Sequence, residues 1–208
     1  QIAYQRSDTT AVVEVRAGAR LEASKDIALQ AHSQQRVDSA AAGKAYEAET
    51  DPNTGQPKRR LLSAGALYGE VNADTRVTVR NGATLSAAQA LDISARADTT
   101  VAVKAESQAT NNTSAALTVA VSNVNVDTAV TVERGALVSA SDVSLSALNQ
   151  SALSTSAVAR SDAQGKVGLA AAVSVQDIAA NVRLDSNIDV AGDVLLDAAS
   201  VTSSNLTH

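Results

Sequence analysis

Val130-Thr131-Val132-Glu133-Arg134-Gly135-Ala136-Leu137-Val138 decides the fold, because the chain carries this block four times. It stands earlier as Val13-Glu14-Val15-Arg16-Ala17-Gly18-Ala19-Arg20-Leu21 and as Val77-Thr78-Val79-Arg80-Asn81-Gly82-Ala83-Thr84-Leu85. A weaker copy follows as Val182-Arg183-Leu184-Asp185-Ser186-Asn187-Ile188-Asp189-Val190. Positions 18, 82, 135 and 187 are 64, 53 and 52 residues apart. Self-similarity at a near-fixed period predicts a stack of equivalent units rather than one globular core.

Working outward from the block, each unit opens with a short strand and turns at Gly18, Gly82, Gly135 or Asn187. Gly first and Asn second is the order expected where the backbone needs a positive φ. A second short stretch leads to Asp26-Ile27-Ala28-Leu29, Leu91-Asp92-Ile93-Ser94, Asp142-Val143-Ser144-Leu145 and Asp193-Val194-Leu195-Leu196. From Leu91 to Ala109 every odd position is apolar or small and the even ones are mostly polar. Period two over 19 residues means an extended strand with one buried face. Val143, Leu145, Ala147, Leu153, Ala157 and Ala159 repeat it.

A polar turn follows, Thr110 to Ser114 or Asp162 to Lys166, and the chain returns with Leu117, Val119 and Val121 on one face. Near Ser122-Asn123 the apolar positions slip by one, to Val124, Val126, Val130 and Val132, which predicts a bulge or corner. The first unit is about 12 residues longer, and the excess falls at this same turn, around Asp51 to Lys58. Insertions are tolerated at exposed tips, so the tip belongs there.

Outgoing and returning arms can pair in-plane as a hairpin or face each other as a β-arch. The arch is preferred, because fixed-period units then stack in register and Ala and Ser suit a narrow arm. The expected fold is all-β, a repetitive parallel β-solenoid with long β-arch arms and about 52 residues per repeat. One large coil and two smaller coils of about 26 residues both fit. A single array spans 1–208, with repeats over 10–73, 74–126 and 127–179, a partial one over 180–208, and an insertion loop over 49–60. The pattern runs off both ends, as in a segment of a longer protein.

Composition agrees. Among 208 residues there is no Phe, Trp, Met or Cys and only three Tyr, while 45% are apolar. Small and β-branched side chains fill a thin core, not a wide one. Net charge is −5, which argues against nucleic acid, and there are almost no aromatic platforms for bases or sugars. No apolar run approaches the roughly 18 residues of a membrane span, and no stretch reads as a signal peptide. Without Cys there is neither a disulfide framework nor a thiolate metal site.

The pattern apolar-x-apolar-x-x-Gly-Ala-x-Leu-x-Ala-x-x-Asp-(Ile/Val)-x-Leu-x-Ala, followed by Ala/Ser/Val-rich arms, resembles giant repetitive surface proteins of bacteria. These are filamentous-haemagglutinin-like exoproteins and the passenger regions of large autotransporter adhesins. Val130 to Ala147 with the return Ala170 to Leu184, and Val77 to Ala95 with Ala115 to Val132, carry the resemblance, which extends over essentially the whole chain. It implies secretion, an extracellular or cell-surface location, a right-handed parallel β-helix and a role in adhesion or biofilm. This chain has fewer glycines and a long charged insertion.

Candidate sites compete with structural explanations. Asn72-Ala73-Asp74 and Asn125-Val126-Asp127 are equivalent, so stacking puts Asp74 and Asp127 about 5 Å apart. A Ca²⁺ would relieve their repulsion; solvated carboxylates beside an Asn ladder are the simpler reading. Asp26, Asp142 and Asp193 recur just before a strand and are expected to serve the local turn through side-chain to backbone bonds. Repetition at one offset points to structure rather than catalysis. His32 sits at an outward position and His208 is terminal; both read as solvated. Lys58-Arg59-Arg60 is a small basic cluster that reads as a solvated loop, with an acidic glycan as the alternative partner. Asn111 and Asn205 open formal glycosylation motifs.

The expected function is a structural stalk of a bacterial cell-surface or secreted adhesin, with no enzymatic activity, no catalytic or metal residues and no cofactor. Its partners are flanking repeats of the same polypeptide, or copies of itself end to end. A self-assembling filament subunit and a β-helical polysaccharide lyase or depolymerase are the alternatives.

Overall fold

The computed structural model describes residues 1–43, 51–55, 60–109, 113–161 and 167–208. These form β1 (Ile2–Val15), β2 (Arg20–Ala23), β3 (Ile27–Gly43), β4 (Arg60–Val79), β5 (Thr84–Ala87) and β6 (Ala90–Ala109). The second half supplies β7 (Thr113–Val132), β8 (Leu137–Ala140), β9 (Asp142–Ser161), β10 (Val167–Leu184), β11 (Ile188–Val190) and β12 (Val194–Thr207). Long, short, long repeats four times, so each repeat is one large coil.

Three parallel four-stranded sheets result. The return sheet is β1-β4-β7-β10, the short base sheet β2-β5-β8-β11 and the outgoing sheet β3-β6-β9-β12. Consecutive long strands such as β6 and β7 lie in different sheets, so the arms form arches, not hairpins. Every strand pairs with its equivalent one coil away: Val77 with Val130 and Val13, Ile93 with Leu145 and Leu29. The protein is a parallel β-solenoid.

The repeated glycine makes the base corner. Gly18, Gly82 and Gly135 have φ of 76°, 77° and 86°. In each, the residue after Gly donates its N–H to the residue two before it: Ala19 to Arg16, Ala83 to Arg80, Ala136 to Glu133, at 3.0 to 3.1 Å. That is a tight turn with the left-handed position at its third residue, where Gly carries no steric penalty. The glycines also ladder, Gly18 N–H to Gly82 O and Gly82 N–H to Gly135 O, both 3.1 Å.

The fourth corner departs from expectation. No described non-Gly residue has a positive φ, so Asn187 does not take the glycine role. Between the pairs Leu184–Val132 and Ile188–Val138 the fourth coil has three residues, 185–187, where the third has five, so this corner is two residues shorter. Ile188 consequently pairs with Val138, and the shorter corner needs no left-handed residue.

Beyond the base the two long sheets converge. A Cβ on Gly43 would lie 2.3 Å from the Ala64 carbonyl oxygen, and one on Gly65 would lie 2.6 Å from that of Glu106. Beside these contacts the inward side chains are small, Leu67 being the exception between Gly65 and Gly69. On β7 they are Ala116, Thr118, Ala120 and Ser122, all buried. Val124, Val126, Thr128, Val130 and Val132 continue the same inward face. The expected slip at Ser122-Asn123 is therefore absent. Leu117, Val119 and Val121 point outward, and no bulge interrupts β7.

Two apolar clusters fill the interior. The base cluster centres on Val79, Leu85, Leu91, Ile93, Val132 and Leu145. The arm cluster holds Val37, Leu67, Val71, Val101, Val124 and Leu153. Between them runs a seam of buried polar side chains, including Thr75, Thr128, Ser33 and Asn149. Ser33 Oγ meets Thr75 Oγ1 at 2.5 Å. Nearer the tip, Ser122 pairs with Thr155 at 2.6 Å and Ser107 with Thr118 at 2.5 Å.

The extra residues of the first unit fall after β3, which ends at Gly43, and before β4, which begins at Arg60. Of the expected loop over 49–60, residues 51–55 form a turn closed by Gly55 N–H to Asp51 O at 2.9 Å. Lys58, Arg59 and Asn111 lie outside the described residues.

Candidate functional surface

Outward positions are where this fold can meet anything else, because the inward ones are packed. In-register stacking turns each outward position into a column running along the solenoid axis, with neighbouring coils about 4.8 Å apart.

On the base half of the return sheet the columns carry most of the charged side chains, mixed with apolar ones such as Val12 and Val175. Arg80 spans three coils, donating through Nε to Glu14 at 2.6 Å and through Nη1 to Glu133 at 2.7 Å. These bonds, to Glu14 and then Glu133, hold its guanidinium above its ordinary value. The Asn81 backbone N–H, and then Arg80, hold the Glu133 carboxyl below its own. Arg6 bonds Asp8 at 2.8 Å, and Arg76 Nε bonds Asp74 Oδ1 at 2.7 Å. A hollow of about 340 Å³ over Glu14, Asp74, Arg76, Arg80 and Glu133 is thus lined by charges already bound to each other.

Asp74 and Asp127 are register partners, as the repeat predicted. Their column continues into Thr10 and Ala179, so it holds two carboxylates, one of them engaged by Arg76. Asn72 donates to Asp8 at 2.8 Å and Glu70 at 3.2 Å, across and along the sheet. No group of three or more His, Cys, Asp or Glu with metal-binding geometry occurs among the described residues.

The recurring aspartates do something other than expected. Asp26 Oδ1 accepts from Ala90 N at 3.0 Å, and Asp142 Oδ1 accepts from Asp193 N at 3.0 Å. Each ties its coil to the next, 64 and 51 residues away, instead of closing its own turn.

On the outgoing sheet, His32 is exposed and its Nε2 lies 2.9 Å from Asp98 of the next coil. Burial works to raise the Asp98 pKa, but hydrogen bonds from Arg96 and His32 outweigh it and hold the carboxyl low. Arg96 reaches on to Gln150 in the third coil at 2.9 Å. Asn205 points outward on β12, and Asn205 and His208 are exposed.

Sequence reasoning missed the tip half of the return sheet. Four successive outward columns, from Leu62–Ala115–Val167 to Tyr4–Tyr68–Val121–Val173, hold only Ala, Val, Leu, Ile and Tyr. Leu169 is 61% exposed, Val167 54% and Leu62 51%. Tyr4 and Tyr68 stack at 5.6 Å. The signal was present as Leu117, Val119 and Val121, but an apolar alternation reads as a buried face unless the opposing sheet is known.

At the two ends of the stack, inward positions lose their cover. Val194 and Leu196 are 44% and 51% exposed, whereas Val143 and Leu145 in the same columns are 2% and 1% exposed. No protein-family model, curated protein or solved structure matches this chain. No described helix is long and apolar enough to cross a membrane.

Proposed function

We propose that this chain is a structural shaft segment of a large bacterial cell-surface or secreted adhesin. The observation that carries the reading is the uncovered end coil: Val194 and Leu196 are half-exposed at positions whose columns the inner coils bury. Unpaired parallel edges and half-buried apolar rows are surfaces on which a further coil can stack. The charged side chains fit this role, since Arg80, Arg96, Asp26 and Asp142 connect one coil to the next.

The segment contributes stiffness and surface rather than reach. Four coils rise only about 19 Å along the axis, while an arm of 20 residues is about 66 Å long. The isolated chain is therefore a flat plate, and a shaft built this way is a wide ribbon.

A second reading is a self-assembling filament subunit. It is favoured by the end faces: the columns of Val194, Leu196 and Ala198 lead back through the stack to Ile27, Leu29 and Ala31 of the first coil. A contact of last coil on first coil does not close, so it propagates.

Electron microscopy of the purified chain over a dilution series, after circular dichroism confirms β-structure, tests both. Single plates at every concentration support the covalent shaft. Fibres that shorten on dilution replace it with the filament. Cleavage of acidic polysaccharides by the chain would replace both with a depolymerase.

A further inference from the structure

The interior seam between the two apolar clusters holds polar atoms that the protein itself does not satisfy. In the first coil the seam closes directly, since Ser33 bonds Thr75 across the gap. One coil further the same columns carry Ala97 and Thr128. Ala97 has no hydroxyl to offer, and Thr128 Oγ1 has no hydrogen-bond partner among the described residues. In the third coil the columns carry Asn149 and Ala180. Asn149 Oδ1 accepts from Ser151 Oγ at 2.9 Å, which sets the amide's orientation, and its Nδ2 is left without a partner among the described residues. Thr128 and Asn149 are both 0% exposed.

These two side chains lie opposite each other. Ser122 of β7 pairs with Thr155 of β9 across the gap at 2.6 Å. Six residues towards the base along each strand from that pair, both strands being continuous, stand Thr128 and Asn149. Beside them Ala97 and Ala180 occupy columns that elsewhere carry Ser33 and Thr75, so two side chains at this level end at Cβ and leave space between the sheets. Buried donors and acceptors are costly when unpaired, and native interiors satisfy them with protein groups or with ordered water. The chemistry of the pair selects the ligand. An amide N–H repels a metal cation, and neither side chain carries a charge to hold an anion. A small neutral molecule that accepts from one group and donates to the other fits both.

We propose that Thr128 Oγ1 and Asn149 Nδ2 bind an internal water molecule in the seam. The water accepts from Asn149 Nδ2 and donates to Thr128 Oγ1, which gives it the two hydrogen bonds that a buried water needs at the least. The repeat then carries a readable rule: Ser opposite Thr closes the seam by a direct bond, and Ala opposite Thr leaves the hydroxyl to a water. The site lies inside the stack, away from both ends, so the proposal stands whether the shaft is covalent or assembled.

A high-resolution crystal structure of the whole chain tests it, together with oxygen-17 magnetic relaxation dispersion, which counts long-lived internal waters in solution. The expected result is an ordered water within hydrogen-bond distance of both atoms. Thr128→Val keeps the shape of the side chain and removes the hydroxyl. It should lower the internal water count by one and the melting temperature by a few degrees, because Asn149 Nδ2 is then buried beside an apolar wall. Ala97→Ser is the second variant should the first perturb folding. Its new hydroxyl recreates the Ser33–Thr75 arrangement one coil on, so it should bond Thr128, displace the water and again lower the count by one. A direct bond between Thr128 and Asn149, or no ordered density between them, overturns the proposal. So does a water count that neither variant changes. A melting temperature raised by Thr128→Val also overturns it, since that is the result of deleting a buried hydroxyl that nothing binds.

Discussion

The two halves of the return sheet invert each other's chemistry. Near the base, Val77, Val79, Val130 and Val132 point in, and Glu14, Arg80, Glu133 and Arg183 lie on the outside. Near the tip, Ala116, Thr118, Ala120 and Ser122 point in, and Leu117, Val119, Val121 and Leu169 point out. Both halves alternate with period two and both belong to the same continuous strands. The difference is the distance to the opposite sheet. Where the base sheet holds the long sheets apart, burial takes large side chains. Where the arm narrows until Gly43 meets Ala64, burial takes only what is small, and hydroxyls pair across the gap. Inside and outside are then decided by volume, not by hydropathy.

The sharpest way to break this comparison is a pair of identical substitutions three residues apart. Val124→Asp places a charge at a fully buried inward position and should cost several kcal/mol, enough to prevent folding. Val121→Asp, outward on the same strand, should change stability by no more than about 0.5 kcal/mol. Equilibrium urea unfolding followed by circular dichroism measures both, and equal effects would restore the slip at Ser122.

Truncation draws the same contrast without a charge. Leu145→Ala in the base should cost about 2–5 kcal/mol through lost burial and a cavity. Leu117→Ala, 37% exposed on the arm, should cost well under 1 kcal/mol. Thermal denaturation would order the two. Next in size is Gly65→Val, which forces a Cβ to within 2.6 Å of the Glu106 carbonyl oxygen. A loss of about 1–3 kcal/mol is expected, with opening confined to the tip and readable by hydrogen exchange.

The smallest effect concerns the polar half. Asp8 is held below its ordinary value of 3.8 by hydrogen bonds from Arg6 and Asn72. Glu70 is held below 4.5 by hydrogen bonds from Asn72 and Tyr4. Depressed carboxylates stabilise the fold above their unfolded values and lose that contribution as pH falls through the folded ones. Melting temperature should therefore stay flat from pH 8 to about pH 5 and fall by a few degrees below about pH 4, less so in high salt. A fall between pH 8 and 6 would contradict this assignment.

Much of the molecule was legible in the residues. The block around Gly135 gave the number of repeats and their period, because a repeated Gly marks a repeated need for positive φ, while one coil or two per repeat stayed open. Leu91 to Ala109 gave a 20-residue strand's inward face, because its outward neighbours are charged or polar. Other features were invisible for stated reasons. Asn187 looked like a glycine substitute at the right spacing, yet its corner is two residues shorter. Asp26 and Asp142 looked like turn residues, yet their partners lie a whole coil away.

The sequence alone therefore determined period, strand content and a parallel stack of repeats, since these follow from spacing and side-chain type along one strand. Only the tertiary structure decided which face of the returning arm is inside, which charges tie which coils, and that an apolar field lies on the surface. Those depend on the gap between two sheets whose strands are far apart in the chain. A period-two pattern fixes that a strand has two faces; the width of the gap opposite fixes which of them is buried.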